Sequence, residues 1–243
     1  MPQSWIVPDW PAPSRVRAFV TTREGGVSTG EYGSLNLGTS SGDAAEHVAR
    51  NRSLVRGYLP NDPRWMAQVH GTDVADLDSA NGDSPRADAA TTARAGNVAV
   101  VLTADCMPLF FCDAQGTRVA VAHAGWRGMS SGVIENTVRA LGVPAPEVIA
   151  WMGPAIGASA FEVGAEVRDA FVAVDEHASE AFRSHAPGKY MADLYALARG
   201  RLRRAGVSSI HGGGFCTRSD AGRFFSYRRA KASGRMGAFI WME

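Results

Sequence analysis

The stretch Leu109-Phe-Phe-Cys-Asp113, Ala114-Gln-Gly116, Thr117-Arg-Val-Ala-Val-Ala-His123 constrains this chain more than any other. Two apolar, β-prone runs flank the turn Asp113-Ala114-Gln115-Gly116, which predicts an antiparallel hairpin. Pairing outward from that turn sets Cys106 opposite His123, each seven residues from its own end of the turn. Directly opposed residues share a face, with Cβ atoms roughly 4.5–5.5 Å apart. A thiolate and an imidazole at that distance can share a metal ion or form an ion pair. Pro108 works against this register, because it cannot donate to the ladder and can splay the strand beside Cys106.

Further strands are expected at Val16 to Thr21, Trp65 to Val69, Val98 to Thr103, Phe224 to Tyr227 and Ala238 to Met242. The Pro-rich start reads as an irregular lead-in, and Gly25-Gly26 as a turn. Asp43 is placed to cap a helix over 44–59, with Val48, Val55 and Leu59 on one face. Helices are also expected over 131–141, 164–175 and 191–205, and the polar region 80–95 reads as loop. Strands and helices mix without a regular βαβ alternation. The expected fold is therefore α+β, one domain over 1–243, with mixed β-sheets packed against helices.

At 243 residues the chain is long enough to bury a sizeable core. Its formal net charge of +1 supplies no global field toward nucleic acid or membrane. No run approaches 18 apolar residues, so no membrane span is expected. The first ten residues lack the basic and apolar regions of a signal peptide, and the three cysteines are too few for a disulfide framework. A cytoplasmic location follows as the expectation. Of the 25 basic residues only Lys189 and Lys231 are lysine, and arginine's planar fork suits an anionic ligand.

Cys106 and His123 lie where strands run out into Pro- or Gly-containing loops. His70 is similar, followed by Gly71 at the end of its expected strand. Together they make a Cys-His-His set from three chain segments. Three protein ligands and an open position describe a catalytic zinc site. Cys112 is a poor fourth ligand, being up to roughly 20 Å from Cys106 in an extended strand. Cys216 stays open as one, and a fourth ligand would make the site structural. Without a metal, the same Cys106–His123 pair would be the core of a cysteine hydrolase. Gly128-Met-Ser-Ser-Gly132 fits a serine-esterase pattern, but the Gly-rich His211-Gly-Gly-Gly214 follows it instead of preceding it, the wrong order for an α/β-hydrolase.

Nearly end to end, the chain resembles the laccase-domain family, also called multicopper polyphenol oxidase-like or peptidoglycan editing factor. The matches include Thr21-Thr-Arg-Glu-Gly-Gly-Val-Ser28, Ser34-Leu-Asn-Leu-Gly38, Asn51-Arg52, Gln68-Val-His-Gly71 and Thr103-Ala-Asp-Cys106. They continue through His123-Ala-Gly-Trp-Arg-Gly128, Gly153-Pro154, Phe161-Glu-Val-Gly164, Cys216-Thr217 and Phe225-Ser-Tyr-Arg-Arg229. The resemblance implies that His70, Cys106 and His123 bind the metal. It implies a zinc-dependent purine nucleoside phosphorylase, acting on adenosine, inosine and methylthioadenosine with phosphate, with adenosine deamination as a further activity. Some members are described as amidases that edit a muramyl precursor of peptidoglycan. The implied fold is related to putative cysteine hydrolases. One departure is Met191-Ala-Asp-Leu194, where members often carry His before Asp-Leu.

Four coppers would need more imidazoles than the six histidines here, which excludes a four-copper oxidase. A single copper site, or a noncatalytic metal module, remains an alternative to zinc. For phosphorolysis, Arg127, Arg228 and Arg229 are candidate phosphate contacts. Arg218, Arg223, Arg229, Lys231 and Arg235 surround Arg228, with Asp220 the one acid in that window. For hydrolytic chemistry, Asp105 beside Cys106 is a candidate proton shuttle. Asn36 and Gln68 offer amides to a purine or sugar, and Tyr227 offers a ring to stack on it.

Overall fold

The computed structural model describes residues 1–79 and 84–243. Chain order runs β1 (Val16–Val20), α1 (Ala45–Arg56), β2 (Pro63–Arg64), β3 (Val74–Asp76), β4 (Ala89–Thr92), β5 (Val98–Thr103), β6 (Met107–Asp113) and β7 (Val119–Ala124). It continues α2 (Trp126–Ser131), α3 (Val133–Ala140), β8 (Val148–Met152), β9 (Glu162–Gly164), α4 (Ala165–Val172), β10 (Phe182–Ala186), β11 (Lys189–Ala192), α5 (Leu194–Arg204), β12 (Ser209–Gly212) and β13 (Met236–Met242).

The predicted hairpin, β6–β7, is the centre of a six-stranded mixed sheet of order β12-β8-β6-β7-β4-β3. Alternating side chains on these strands enter two different cores. Leu109, Phe111, Ala120 and Ala122 pack under α2 to α5, whereas Phe110, Cys112, Val119 and Val121 face a second sheet. That second sheet, order β1-β13-β5-β2, supplies Val16, Ala18, Val20, Val101, Ala238 and Ile240 to the shared core. Its other face, with Phe19, Val100, Phe239 and Trp241, is covered by Val55 of α1 and by Trp5. A three-stranded sheet, β10-β11-β9, completes the α+β architecture. Strands buried on both faces read as continuous apolar runs, which is why 98–103 and 109–113 were visible in the sequence.

The register differs from the expected one by two residues. His123 lies opposite Pro108, and Cys106 falls just outside the strand. The cause is Asp113, whose carboxylate accepts from Thr117 N (2.7 Å), Arg118 N (2.7 Å) and Thr117 Oγ1 (2.8 Å). It thereby widens the turn to a four-residue loop, Ala114 to Thr117, that closes at Asp113 and Arg118. Pro108 takes nothing from the β6–β7 ladder. At this pair His123 N donates outward to Asp88 O (2.7 Å), and Pro108 O accepts from Gly153 N on the opposite side (2.9 Å).

Other expectations need correcting. Residues 65–69 form no strand, and Phe224 to Tyr227 form none either, with both phenylalanines buried. Region 80–95 contains β4, a fully buried strand, although 80–83 lie outside the described residues. Helix α1 is shorter than 44–59 and begins after Ala44, with Asp43 held instead by Ser28, Asn36 and the Ala44 amide. The helix expected over 131–141 is the second of two, because Gly132 at φ 108° ends α2 and starts α3. Helix α5 starts only at Leu194, capped by Asp193, whose carboxylate accepts from Ala196 N at 3.0 Å. No helix among the described residues is long and apolar enough to cross a membrane.

Candidate metal centre and its cavity

His70, Cys106 and His123 come together at one end of the six-stranded sheet, their ligand atoms all within 4.8 Å of one another. Cys106 Sγ lies 3.9 Å from His70 Nε2, and the two imidazole rings meet edge to face with centroids 4.8 Å apart. Tetrahedral zinc with bonds near 2.3 Å to sulfur and 2.0–2.1 Å to nitrogen spaces such atoms by about 3.5 Å. The donor set therefore fits a metal ion with little adjustment. Among the described residues no further His, Cys, Asp or Glu joins the group. Cys216 Sγ is turned to Gly157 N (3.3 Å) and Ser219 Oγ (3.2 Å). Cys112 is buried between the two sheets, where desolvation and then Asp113 push its thiol up to about 12.

The residue that organises the centre was not foreseen. Asp88, fully buried just before β4, accepts from Val69 N (3.0 Å), His70 N (2.9 Å) and Gly71 N (2.7 Å). Its Oδ1 also sits 2.8 Å from His123 Nδ1. One carboxylate thus shapes the 69–71 turn, with His70 at φ 59°, and orients the second histidine. A proton on His123 Nδ1 toward Asp88 leaves Nε2 as the free ligand, the usual carboxylate–histidine–metal arrangement. Burial pushes the Asp88 pKa up, but the bonds from His123, Gly71 and Val69 outweigh it and hold it below the usual range. Burial likewise opposes the Cys106 thiolate, yet the adjoining His123 and His70 bring its pKa down to about 6. His123, against burial, is raised to about 9 by Cys106 and Asp88. Gly125 closes the site from the other side. A Cβ there would lie 2.8 Å from Cys106 Sγ and 3.1 Å from His70 Cδ2.

The centre opens into a cavity of about 780 Å³. Its wall carries the aromatic rings of Trp65, Trp126, Phe161 and Tyr227 and the arginines Arg52, Arg127, Arg228 and Arg235. Arg127, in the first turn of α2, stacks over Trp126 at 4.4 Å. Arg228 donates from Nη1 to Glu162 O at 2.6 Å, and Tyr227 stands half exposed at the rim. Asp105 reaches the wall at φ 90°, but its carboxylate accepts from Thr217 Oγ1 (2.5 Å) and Arg228 N (2.6 Å). It anchors the Cys106 bend to the 217–228 segment, with one hydrogen bond on each carboxylate oxygen. Gln68 lines the cavity, with its amide spent on Leu102 N (2.7 Å) and Leu102 O (2.9 Å). Asn36 is wholly buried and lies behind the wall, not in it. Arg229 is turned away to the carbonyls of Thr217, Arg218 and Phe224. Ser130 sits on helix α2 bonded to Arg127 O, not on a strand–helix elbow.

Besides Asp88, reading the sequence for sites missed Arg52 and Trp65, whose ring–guanidinium stack at 3.7 Å forms one side of the cavity. Arg52 was visible only as part of a matched motif. Asp88 had no signal, because it precedes a strand of small residues, Ala89-Ala-Thr-Thr92, inside a polar stretch.

An α+β scaffold thus presents a His-Cys-His group that could hold a metal ion at the head of an arginine-rich cavity, and the relatives it matches mark the protein as an enzyme. Residues 17–243 match the model of the multi-copper polyphenol oxidoreductase laccase family, and the chain belongs to that family. It is 53% identical over 241 residues to a purine nucleoside phosphorylase of Pseudomonas aeruginosa, covering 99% of each chain. It is 52% identical to the purine nucleoside phosphorylase YfiH of Escherichia coli, covering 98% of each. Among solved structures, a Neisseria meningitidis protein superposes with a TM-score of 0.96 at 48% identity, over 99% of this chain and 100% of that one. YlmD of Geobacillus stearothermophilus does so with a TM-score of 0.85 at 31% identity, over 95% and 93%.

Proposed function

We propose that this enzyme is a zinc-dependent purine nucleoside phosphorylase of the cytoplasm, acting on adenosine, inosine and methylthioadenosine, with deamination of adenosine as a second activity. The observation that carries the reading is a three-ligand metal group sharing one cavity with four arginines and four aromatic rings. Relatives at about half identity carry the phosphorylase name, which supports the same reading. Phosphorolysis needs an anion held against the sugar's anomeric carbon while the N-glycosidic bond breaks and its electron pair leaves with the purine. Arginine forks hold such an anion. The rings of Phe161 and Tyr227 offer apolar surface to the base. Bound through His70, Cys106 and His123, zinc supplies Lewis acidity at the cavity floor. Asp88 fixes the tautomer of His123, and Asp105 is a positioning residue.

The test is base release from inosine by wild type and Cys106→Ala, with and without phosphate. Release that requires phosphate, with metal and rate both lost in the variant, is the expected result. Release of equal rate without phosphate, or full metal and rate in Cys106→Ala, would overturn it. Activity that survives chelation but not alkylation of Cys106 would instead point to a thiolate hydrolase, and amino-acid release from a muramyl precursor to an amidase.

A further inference from the structure

Among the described residues, none of the four cavity arginines is ion-paired with a carboxylate. Asp105, the one acid on the described wall, is already occupied by Thr217 and the Arg228 amide. Four guanidinium groups against Asp105 and the Cys106 thiolate leave the cavity wall net positive.

Two of the four arginines are built into the scaffold. Arg52 leaves α1, lies over Trp65 and donates from Nε to Leu37 O at 3.0 Å. Arg235 donates from Nη1 to Ser233 O (2.7 Å) and Gly234 O (3.0 Å). Its Cγ passes so close to Gly38 that a Cβ there would come within 2.7 Å. Adjacent residues thus support both side chains, Leu37 through its carbonyl and Gly38 by making room for the Arg235 stem. Asn36 fixes the arrangement from behind. Its Oδ1 accepts from Gly38 N (3.0 Å) and Arg235 N (2.9 Å), and its Nδ2 donates to Ser41 Oγ (2.8 Å) and Asp43 Oδ2 (3.0 Å). Both Nη groups of Arg52, and Nε and Nη2 of Arg235, keep donors without a partner among the described residues. Burial lowers the pKa of both, Arg52 to about 10, and for Arg235 it outweighs the opposing pull of Cys106, Tyr227 and Asp105. Partly dry guanidinium groups with free donors on one cavity wall gain from binding an anion.

We propose that Arg52 and Arg235, with the loop Thr39 to Ser41 that also lines the cavity, form a subsite for a phosphate-sized oxyanion. Asn36 is its positioning residue. The assignment rests on the phosphorylase reading only for the natural occupant, which is then free phosphate and not the phosphoryl group of a phosphate ester. Arg127 and Arg228 are left to the nucleoside side of the cavity.

Metal-loaded protein titrated with inorganic phosphate tests this directly by calorimetry, beside Arg52→Gln and Arg235→Gln. Each variant is expected to weaken phosphate binding at least about tenfold, the loss of a charge-assisted fork. In the inosine assay the KM for phosphate rises by a similar factor, while the KM for inosine stays within about threefold. Should a glutamine variant fail to fold, Arg52→Lys or Arg235→Lys keeps stem and charge but loses the fork. Phosphate binding weakened by about threefold or more is then expected, and unchanged binding overturns the subsite. A second titration uses inosine 5′-monophosphate. If it binds, free phosphate does not, and both glutamine variants lose it, the subsite stands with an ester as occupant and the phosphorylase reading falls. Wild-type affinity for both probes in both glutamine variants overturns the subsite, whatever reaction the enzyme performs.

Discussion

Replacing Asp88 by asparagine changes one atom and disturbs the centre in either amide orientation. Oδ2 accepts from Val69 N and Gly71 N, and Oδ1 from His70 N and His123 Nδ1. With the new NH2 at the Oδ2 position, two part-buried amide donors face a third and lose their acceptor. At about 1.5–3 kcal/mol for each hydrogen bond to a charged group, that orientation costs about 3 kcal/mol or more. With the NH2 at the Oδ1 position, it orphans His70 N and donates to His123 Nδ1. The proton of His123 then moves to Nε2, and the histidine can no longer ligate. Both orientations damage the 69–71 turn or the tautomer, so metal affinity falls about 10–100-fold. Competition against a chromophoric chelator measures this, with circular dichroism melting as the stability readout. Metal affinity within threefold of wild type in a folded Asp88→Asn protein would refute the carboxylate's role.

Gly125→Ala places a Cβ 2.8 Å from Cys106 Sγ, though the backbone there (φ −71°, ψ 161°) admits alanine freely. The expected outcome is at least tenfold weaker metal binding with an overpacking cost of about 1–3 kcal/mol, and a variant that loads metal normally would contradict the geometry. Metal uptake should also release protons with a defined pH profile. Between about pH 6 and 9, Cys106 is already a thiolate and His123 still carries the proton that the metal must displace. About one proton is then released per ion, falling toward none above pH 9 and rising below pH 6, read from calorimetry in buffers of different ionisation enthalpy. Without metal, the same pair stabilises the fold in that window. The Cys106 share, from a pKa lowered from 9.0, is lost as pH falls through about 6, and the His123 share, raised from 6.5, is lost as pH rises through about 9. Because one share grows as the other shrinks, the metal-free melting temperature is expected to vary little between about pH 6 and 9, and a steep slope across that window would count against that pairing.

The hairpin was legible in the sequence because both its strands are buried on both faces and so carry unbroken apolar runs. Its register was not, since an aspartate that accepts three local bonds lengthens a turn without changing its composition. The two-residue slip preserves the face of every side chain, which is why the Cys106–His123 pairing leads to the right neighbourhood by an inexact route. Residues 65–69 look like a strand, yet Gln68 uses its side chain to bond the backbone of Leu102, and no ladder forms. Strand β4 is hidden by small residues, and with it Asp88. Asn36 and Asp105 read as candidates for chemistry because polar residues near a site always do. Burial assigns both to holding the wall, a distinction that depends on contacts with residues about 200 and more than 100 positions away, Arg235 for one and Thr217 and Arg228 for the other.

X-ray absorption at the zinc edge of the loaded protein tests the central claim most directly. One sulfur near 2.3 Å, two imidazole nitrogens near 2.0 Å and one light non-protein donor are expected. A second sulfur, no sulfur, or a third imidazole would contradict a centre built from His70, Cys106 and His123 with one position left for a reactant.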